Sequence, residues 1–135
     1  MRAEIFLVLI LINFTSGCGS FASKTSDLRS NAEYVKSKKY CYDHSFNVVH
    51  QRIKSHVQTC WNPPRMNFAL REQQEGSTLK MSIKSEFGYT FGMDLTPGSG
   101  TCRTELKMFA MNSFWQSNFE NINYAIENDE VECGN

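Results

Sequence analysis

From Ser45 to Trp61 the apolar residues Phe46, Val49, Ile53, Val57 and Cys60 or Trp61 recur at steps of three and four, and after Asn62-Pro63-Pro64 the step falls to two. This change of period narrows the possible folds more than any other feature. Steps of three and four put side chains on one face of a helix, whereas a step of two puts them on one face of a strand. The spacing predicts a helix over 45–61, capped at its start by Asp43 or Ser45. The prolines end it, because a residue before proline is pushed out of the helical region. The opposite face of this helix, with Gln51, Arg52, Lys54 and Ser55, is polar. His44, His50 and His56 are six residues apart, which at about 100° per residue puts them on three different sides and forbids a shared site on this helix.

Four strands follow from the period of two. Met66, Phe68 and Leu70 alternate with Asn67, Ala69 and Arg71, and Gln73-Gln74-Glu75-Gly76 makes a turn into Leu79, Met81 and Ile83, which alternate with Lys80, Ser82 and Lys84. Phe87, Tyr89, Phe91, Met93 and Leu95 form the third, with Gly88 and Gly92 on the opposite parity. Thr96-Pro97-Gly98-Ser99-Gly100 is a turn, and the fourth strand sets Cys102, Thr104, Leu106 and Met108 against Arg103, Glu105 and Lys107. Glycines on one face of a strand mark a bend or a close backbone approach, so a partner strand or peptide is expected to dock there. Helical spacing then returns at Trp115, Phe119, Ile122 and Ile126, after Asn112 or Ser113 as a cap.

A sheet with one apolar face must be covered, and two amphipathic helices supply the cover. The expectation is an α+β fold: a two-layer sandwich of about residues 31–135, with a four-stranded antiparallel sheet and two helices on one face, in the order α-β-β-β-β-α. Residues 31–40 read equally as an extra edge strand or a short helix.

The N-terminus carries Arg2, the apolar run Ile5 to Ile12, and then Thr15-Ser16-Gly17-Cys18. The run is too short to span a bilayer, which takes about 20 apolar residues, and small residues stand directly before a cysteine. This resembles the signal peptide and lipobox of bacterial lipoproteins, although Thr15 stands where that family usually carries Leu. The resemblance implies a signal peptide over 1–17 and lipidation of Cys18 as the first mature residue. With Gly19 rather than Asp following, it implies an outer-membrane anchor and a domain facing the periplasm. One acyl chain binds a membrane only reversibly, so a diacylglyceryl cysteine with an N-acyl chain meets the need for a second chain. Residues 18–30 are rich in Ser, Gly and Thr and read as a flexible tether, holding the domain about 20 Å from the membrane at ~5–6 Å times the square root of residue number.

Cys41, Cys60, Cys102 and Cys133 remain, an even number in a chain bound for an oxidising compartment, so two stabilising disulfides are expected. With antiparallel neighbours, Cys41, Cys102 and Cys133 lie nearer one another than to Cys60. A Cys41–Cys60 bond is disfavoured, because a helix separates its ends by ~1.5 Å per residue and a disulfide holds its Cα atoms within about 7 Å. Cys41 with Cys102 and Cys60 with Cys133 is the preferred pairing, the second needing residues 128–133 to turn back along the helices. Cys41 and His44 are spaced like metal ligands, but no second close pair completes a zinc site, and no metal is expected.

Net charge is zero, yet residues 24–71 hold nine Lys or Arg against three acids, while from Met108 onward there are five acids and no base. Two meanings fit. Lys36, Lys38 and Lys39 would face anionic lipid, or the basic first helix and acidic last helix complement each other. Nucleic-acid binding is not indicated. The aromatics Phe87, Tyr89, Phe91, Phe109, Phe114, Trp115 and Phe119 either line a pocket or form the core. There is no G-x-S-x-G, P-loop, H-E-x-x-H or Cys-x-x-Cys motif, so neither catalysis nor a cofactor is expected. The first functional expectation is a non-catalytic envelope lipoprotein acting through protein contacts, as an accessory subunit, inhibitor or immunity-type protein, with Lys84 and Arg103 on an outward strand face. The second is a carrier or sensor of a small apolar ligand held among Phe91, Met93, Leu106 and Trp115.

Overall fold

The helical and alternating stretches become helix and strand with shifted bounds: Gln73, Gln74 and Glu75 continue a strand instead of turning, Phe87 lies in a turn rather than in the third expected strand, and the fourth starts at Thr104 rather than Cys102. A bulge between Ile83 and Lys84 breaks the alternation, so that Tyr89 packs with Ala22 and Leu28 and not in the main core with Phe91. The computed structural model describes residues 21–30, 35–62 and 66–134, in the order α1 (Thr25–Leu28), β1 (Lys36–Tyr42), α2 (Phe46–Cys60), β2 (Ala69–Glu75), β3 (Thr78–Ser85), β4 (Gly88–Pro97), β5 (Thr104–Ala110), α3 (Ser113–Gln116) and α4 (Asn118–Asn128). The signal-like stretch and Cys18 lie outside the described residues. Among the described residues no helix is long and apolar enough to cross a membrane.

The fold is α+β, with an antiparallel sheet and two disulfides, and it departs from expectation in three respects. The sheet has five strands rather than four, in the order β1-β5-β4-β3-β2. The additional strand comes from the stretch that reads equally as strand or helix, and it pairs antiparallel with β5 from Lys36↔Ala110 to Tyr42↔Thr104. Its neighbour is some sixty residues away, so local pattern alone does not decide between the two. Helix order also differs, because a helical turn precedes β1 and Ser117 separates the last helical stretch into α3 and α4. Thirdly, residues 21–30 are no tether: they pack on the sheet, and the folded unit begins at least ten residues before position 31.

β2 to β5 form the expected meander, and α2 carries the chain from the β1 edge to the β2 edge. Four strand spacings of about 4.8 Å make roughly 19 Å, and fifteen helical residues span about 22 Å, so one helix crosses the sheet. Ser45 caps α2, its hydroxyl accepting from the Val48 amide, and the Asn112 side chain accepts from the Trp115 amide at 3.0 Å to start α3. Val49, Ile53 and Val57 of α2 and Phe119, Ile122 and Ile126 of α4 bury against Met81, Ile83, Phe91, Met93, Leu95, Leu106 and Met108. Each such side chain contributes roughly 1.5–3 kcal/mol of gross transfer free energy.

The opposite face of the sheet is covered by the N-terminal segment. Ala22 exchanges two backbone hydrogen bonds with Tyr89, at 2.6 and 2.8 Å, and Leu28 buries with Ala22 and Met111. Gly88 and Gly92 are where the segment comes close. A Cβ on Gly88 would stand 2.6 Å from the Ala22 carbonyl oxygen, and one on Gly92 would touch Leu28 at 3.4 Å. The close approach expected at these glycines exists, and the chain itself supplies the occupant. Arg29 clamps it: Nε pairs with Asp94 Oδ1 at 2.7 Å, Nη1 donates to Ser82 Oγ and the Thr25 carbonyl, and Nη2 donates to the Met81 carbonyl.

The cysteines pair as Cys41–Cys102 and Cys60–Cys133, with Cα separations of 5.4 and 5.2 Å. One bridge closes each end of the sheet. Asp129, at φ 56°, ends α4 in the left-handed region and turns the chain back. The eleven residues of α4 rise about 16 Å, the distance that five extended residues retrace, which brings Cys133 to Cys60.

Candidate functional site

Phe91, Met93 and Leu106 are fully buried and Trp115 nearly so, all four within the main core. Trp61, Phe91, Trp115 and Phe119 pack edge-on or tilted at 5.4–6.2 Å between ring centroids, which is core geometry. Of the two meanings of the aromatic set, the core one describes these residues. Phe109 lies on the other face, its ring 5.6 Å from the Arg29 guanidinium. Phe87 and Phe114 stand in solvent.

Two depressions flank the core. The first, a cleft of about 310 Å³, opens where the end of α2, α3 and the returning tail meet, and Trp61, Met66, Phe114, Trp115 and the Cys60–Cys133 bridge line it. Trp115 alone of the four expected pocket residues reaches it. The second, about 450 Å³, is a groove between α2 and the edge strand β2, with Val57, Phe68 and Leu70 at its floor and Lys54, Gln58, Asn62, Ala69 and Glu72 around it. β2 ends the sheet, so one side of its backbone has no strand beside it among the described residues, and all its residues but Leu70 are exposed. Sequence reasoning missed this groove. Its only local signal is the polar run Arg71-Glu72-Gln73-Gln74-Glu75, the composition of a sheet edge.

His50 Nε2 meets Glu72 Oε1 at 2.6 Å, tying α2 to β2 beside the groove. His44 lies 4.0 Å from Glu127, and His56 is buried, so the three histidines stay apart. His56 Nδ1 is 3.9 Å from Cys60 Sγ. A disulfide sulfur can only accept, so any bond there leaves Nε2 bare, and Nε2 has no partner. Burial lowers the His56 pKa to about 4. Burial likewise pushes the Tyr42 phenol far above its ordinary range while its hydroxyl donates to Asn123 at 2.9 Å.

Part of the charge asymmetry is paired within the fold. Arg52 of α2 meets Asp129 at 3.2 Å and donates to the Ile126 carbonyl, Lys38 meets Glu120 of α4 at 2.6 Å, and Lys39 meets Glu105 at 3.1 Å. The Glu120 carboxylate raises the Lys38 pKa, and Lys38 in turn lowers that of Glu120. Between the two helices the complementation is carried by Arg52 with Asp129, whereas Lys38 and Lys39 make their ion pairs from β1. Arg103 and Lys84 occupy opposite ends of the sheet: Arg103 lies beside Tyr42 and Asp43, and the Lys84 ammonium lies 5.7 Å from the Tyr89 ring. They share no patch. With Cys41 in a disulfide, the Cys41–His44 spacing offers no thiolate, and among the described residues no group of His, Cys, Asp or Glu is placed to hold a metal.

Comparison of the chain with protein-family models and with curated proteins finds no match.

Proposed function

We propose that this chain is a non-catalytic, lipid-anchored envelope protein that acts through protein contacts, and that the groove along β2 receives the partner. The observation that carries this reading is the coincidence of an open sheet edge with an apolar floor. An extended peptide laid beside β2 would add a sixth strand through backbone hydrogen bonds, and its alternate side chains would enter the groove over Val57, Phe68 and Leu70. The Lys54 and Glu72 side chains at the rim supply register and selectivity rather than the bulk of the affinity.

The test is the native mass of full-length protein extracted from its membrane in mild detergent, compared with a Gln58→Arg/Ala69→Arg variant. Both positions are exposed walls of the groove, so the fold is expected to persist. An added protein mass on the wild type, lost in the variant at unchanged melting temperature, supports the reading. A bound small molecule in place of a protein would favour the apolar-carrier alternative, for which the cleft at Trp61, Phe114 and Trp115 is the natural seat. It has the lower end of the volume usual for ligand sites, about 300 Å³.

A further inference from the structure

Five large hydrophobic side chains are exposed among the described residues, and their placement is not random. Phe21, Met66, Phe87 and Phe114 sit at one end of the sheet, and only Val48, at the start of α2, is elsewhere. The pairing registers define that end. Lys36 opposes Ala110, Phe91 opposes Ala110, Ser85 opposes Gly88 and Ala69 opposes Lys84, so β1 and β2 begin there, the β3–β4 turn lies there, and β5 leaves there for α3. Phe21 and Phe87 form a pair with ring centroids 5.6 Å apart, and Phe87 is 71% exposed. The turn that carries Phe87 is held rigid: Ser85 Oγ accepts from the Phe87 amide at 3.1 Å and donates to the Gly88 carbonyl at 3.3 Å.

We infer that this end of the domain, led by the Phe21–Phe87 pair, is the surface that lies on the lipid bilayer. The inference rests on the lipid-anchor reading of Cys18 and gives it an orientation. Phe21 is the third residue after Cys18, so the two Cα atoms are at most about 11 Å apart however the intervening residues run. Ala22, the next residue, is pinned to Tyr89 by its two backbone bonds. Acyl chains on Cys18 would therefore enter the membrane directly beside the aromatic pair, and the domain rests against the bilayer instead of hanging some 20 Å below it. Phenylalanine is suited to the boundary between headgroups and acyl chains, where it adds to the binding that an acyl anchor provides. Lys84, exposed in the same hairpin, faces anionic headgroups, and Glu86 beside it keeps the attraction weak, so the aromatic rings dominate. Phe114, 70% exposed, lies at the same end and is expected to share the boundary.

The test uses the full-length protein reconstituted in phosphatidylethanolamine–phosphatidylglycerol vesicles containing lipids brominated near the headgroup. Tryptophan is introduced as Phe87→Trp, and as Val48→Trp for comparison. Wild-type emission from the buried Trp61 and Trp115 is subtracted. Bromine is expected to quench roughly half of the emission added at position 87 and little of that at position 48, as depth in the interface requires. Equal, weak quenching at both positions in vesicles that still carry the acylated protein would overturn the surface while leaving the anchor in place. Absence of acyl mass on the chain would overturn both. Quenching that disappears as the protein dimerises or takes up a protein partner at this end would also overturn it.

Discussion

His56 and Thr90 are the described residues that bury a side-chain polar atom without a partner, and of the two only His56 titrates. It takes a core position on α2, packs edge-on against Trp61 at 5.4 Å, and holds Nε2 without a partner. Because burial lowers its pKa to about 4, the unfolded chain binds at the ordinary value near 6.5 a proton that the folded chain refuses until pH falls to about 4. Stability is therefore complete above the unfolded value and is lost as pH falls from 6.5 towards 4, by up to ~1.4 kcal/mol per pH unit from this group. Denaturant titrations at pH 7 and pH 4.5 are expected to show a smaller pH-dependent loss in His56→Leu than in the wild type. Equal losses would mean that His56 does not carry the effect. Asp129 is the opposite case: its left-handed backbone at φ 56° carries a side-chain contact to Arg52, so a residue that must turn the chain also ties α4 to α2.

Among the elements, the segment 21–30 is where local pattern says least. It holds two buried apolar residues, Ala22 and Leu28, and no repeat of either period. What places it is the gap that Gly88 and Gly92 leave on the far face of β4, together with Asp94 in reach of Arg29. Gly88→Ala would put a methyl group 2.6 Å from the Ala22 carbonyl oxygen at φ +133°, a conformation that residues with side chains rarely adopt. The expected result is release of Ala22, seen as faster amide exchange at Tyr89 and new proteolytic cleavage within 21–30, with the α2–α4 core unaffected. Unchanged Tyr89 exchange would show that the Ala22–Tyr89 bonds survive a side chain at position 88 and that the close approach does not require glycine there. By contrast, α2 is legible in sequence because it buries one face, and burial of one face writes its period into the residues.

For the whole molecule, two covalent links close the two ends of the sheet. They span 61 and 73 residues, and in the chain-entropy account each removes unfolded-state freedom corresponding to about 4 kcal/mol. Reduction is expected to lower the melting temperature markedly, and the Cys60→Ala/Cys133→Ala variant is expected to lose about 2–4 kcal/mol in denaturant titration and to free the tail from Cys60. A melting temperature indifferent to reductant would mean that the noncovalent core alone sets the stability. Apolar spacing along the chain foretells α2, four strands and a closing helix, narrows the caps to Asp43 or Ser45 and Asn112 or Ser113, and, once antiparallel order is assumed, favours Cys41 with Cys102 and Cys60 with Cys133, because a buried face repeats at the period of its element. Long-range pairing settles that Lys36–Tyr42 is a strand, that residues 21–30 lie on the sheet, and that a groove opens beside β2. These arise where residues distant in sequence meet, at an edge or on a face where neither partner carries a pattern of its own.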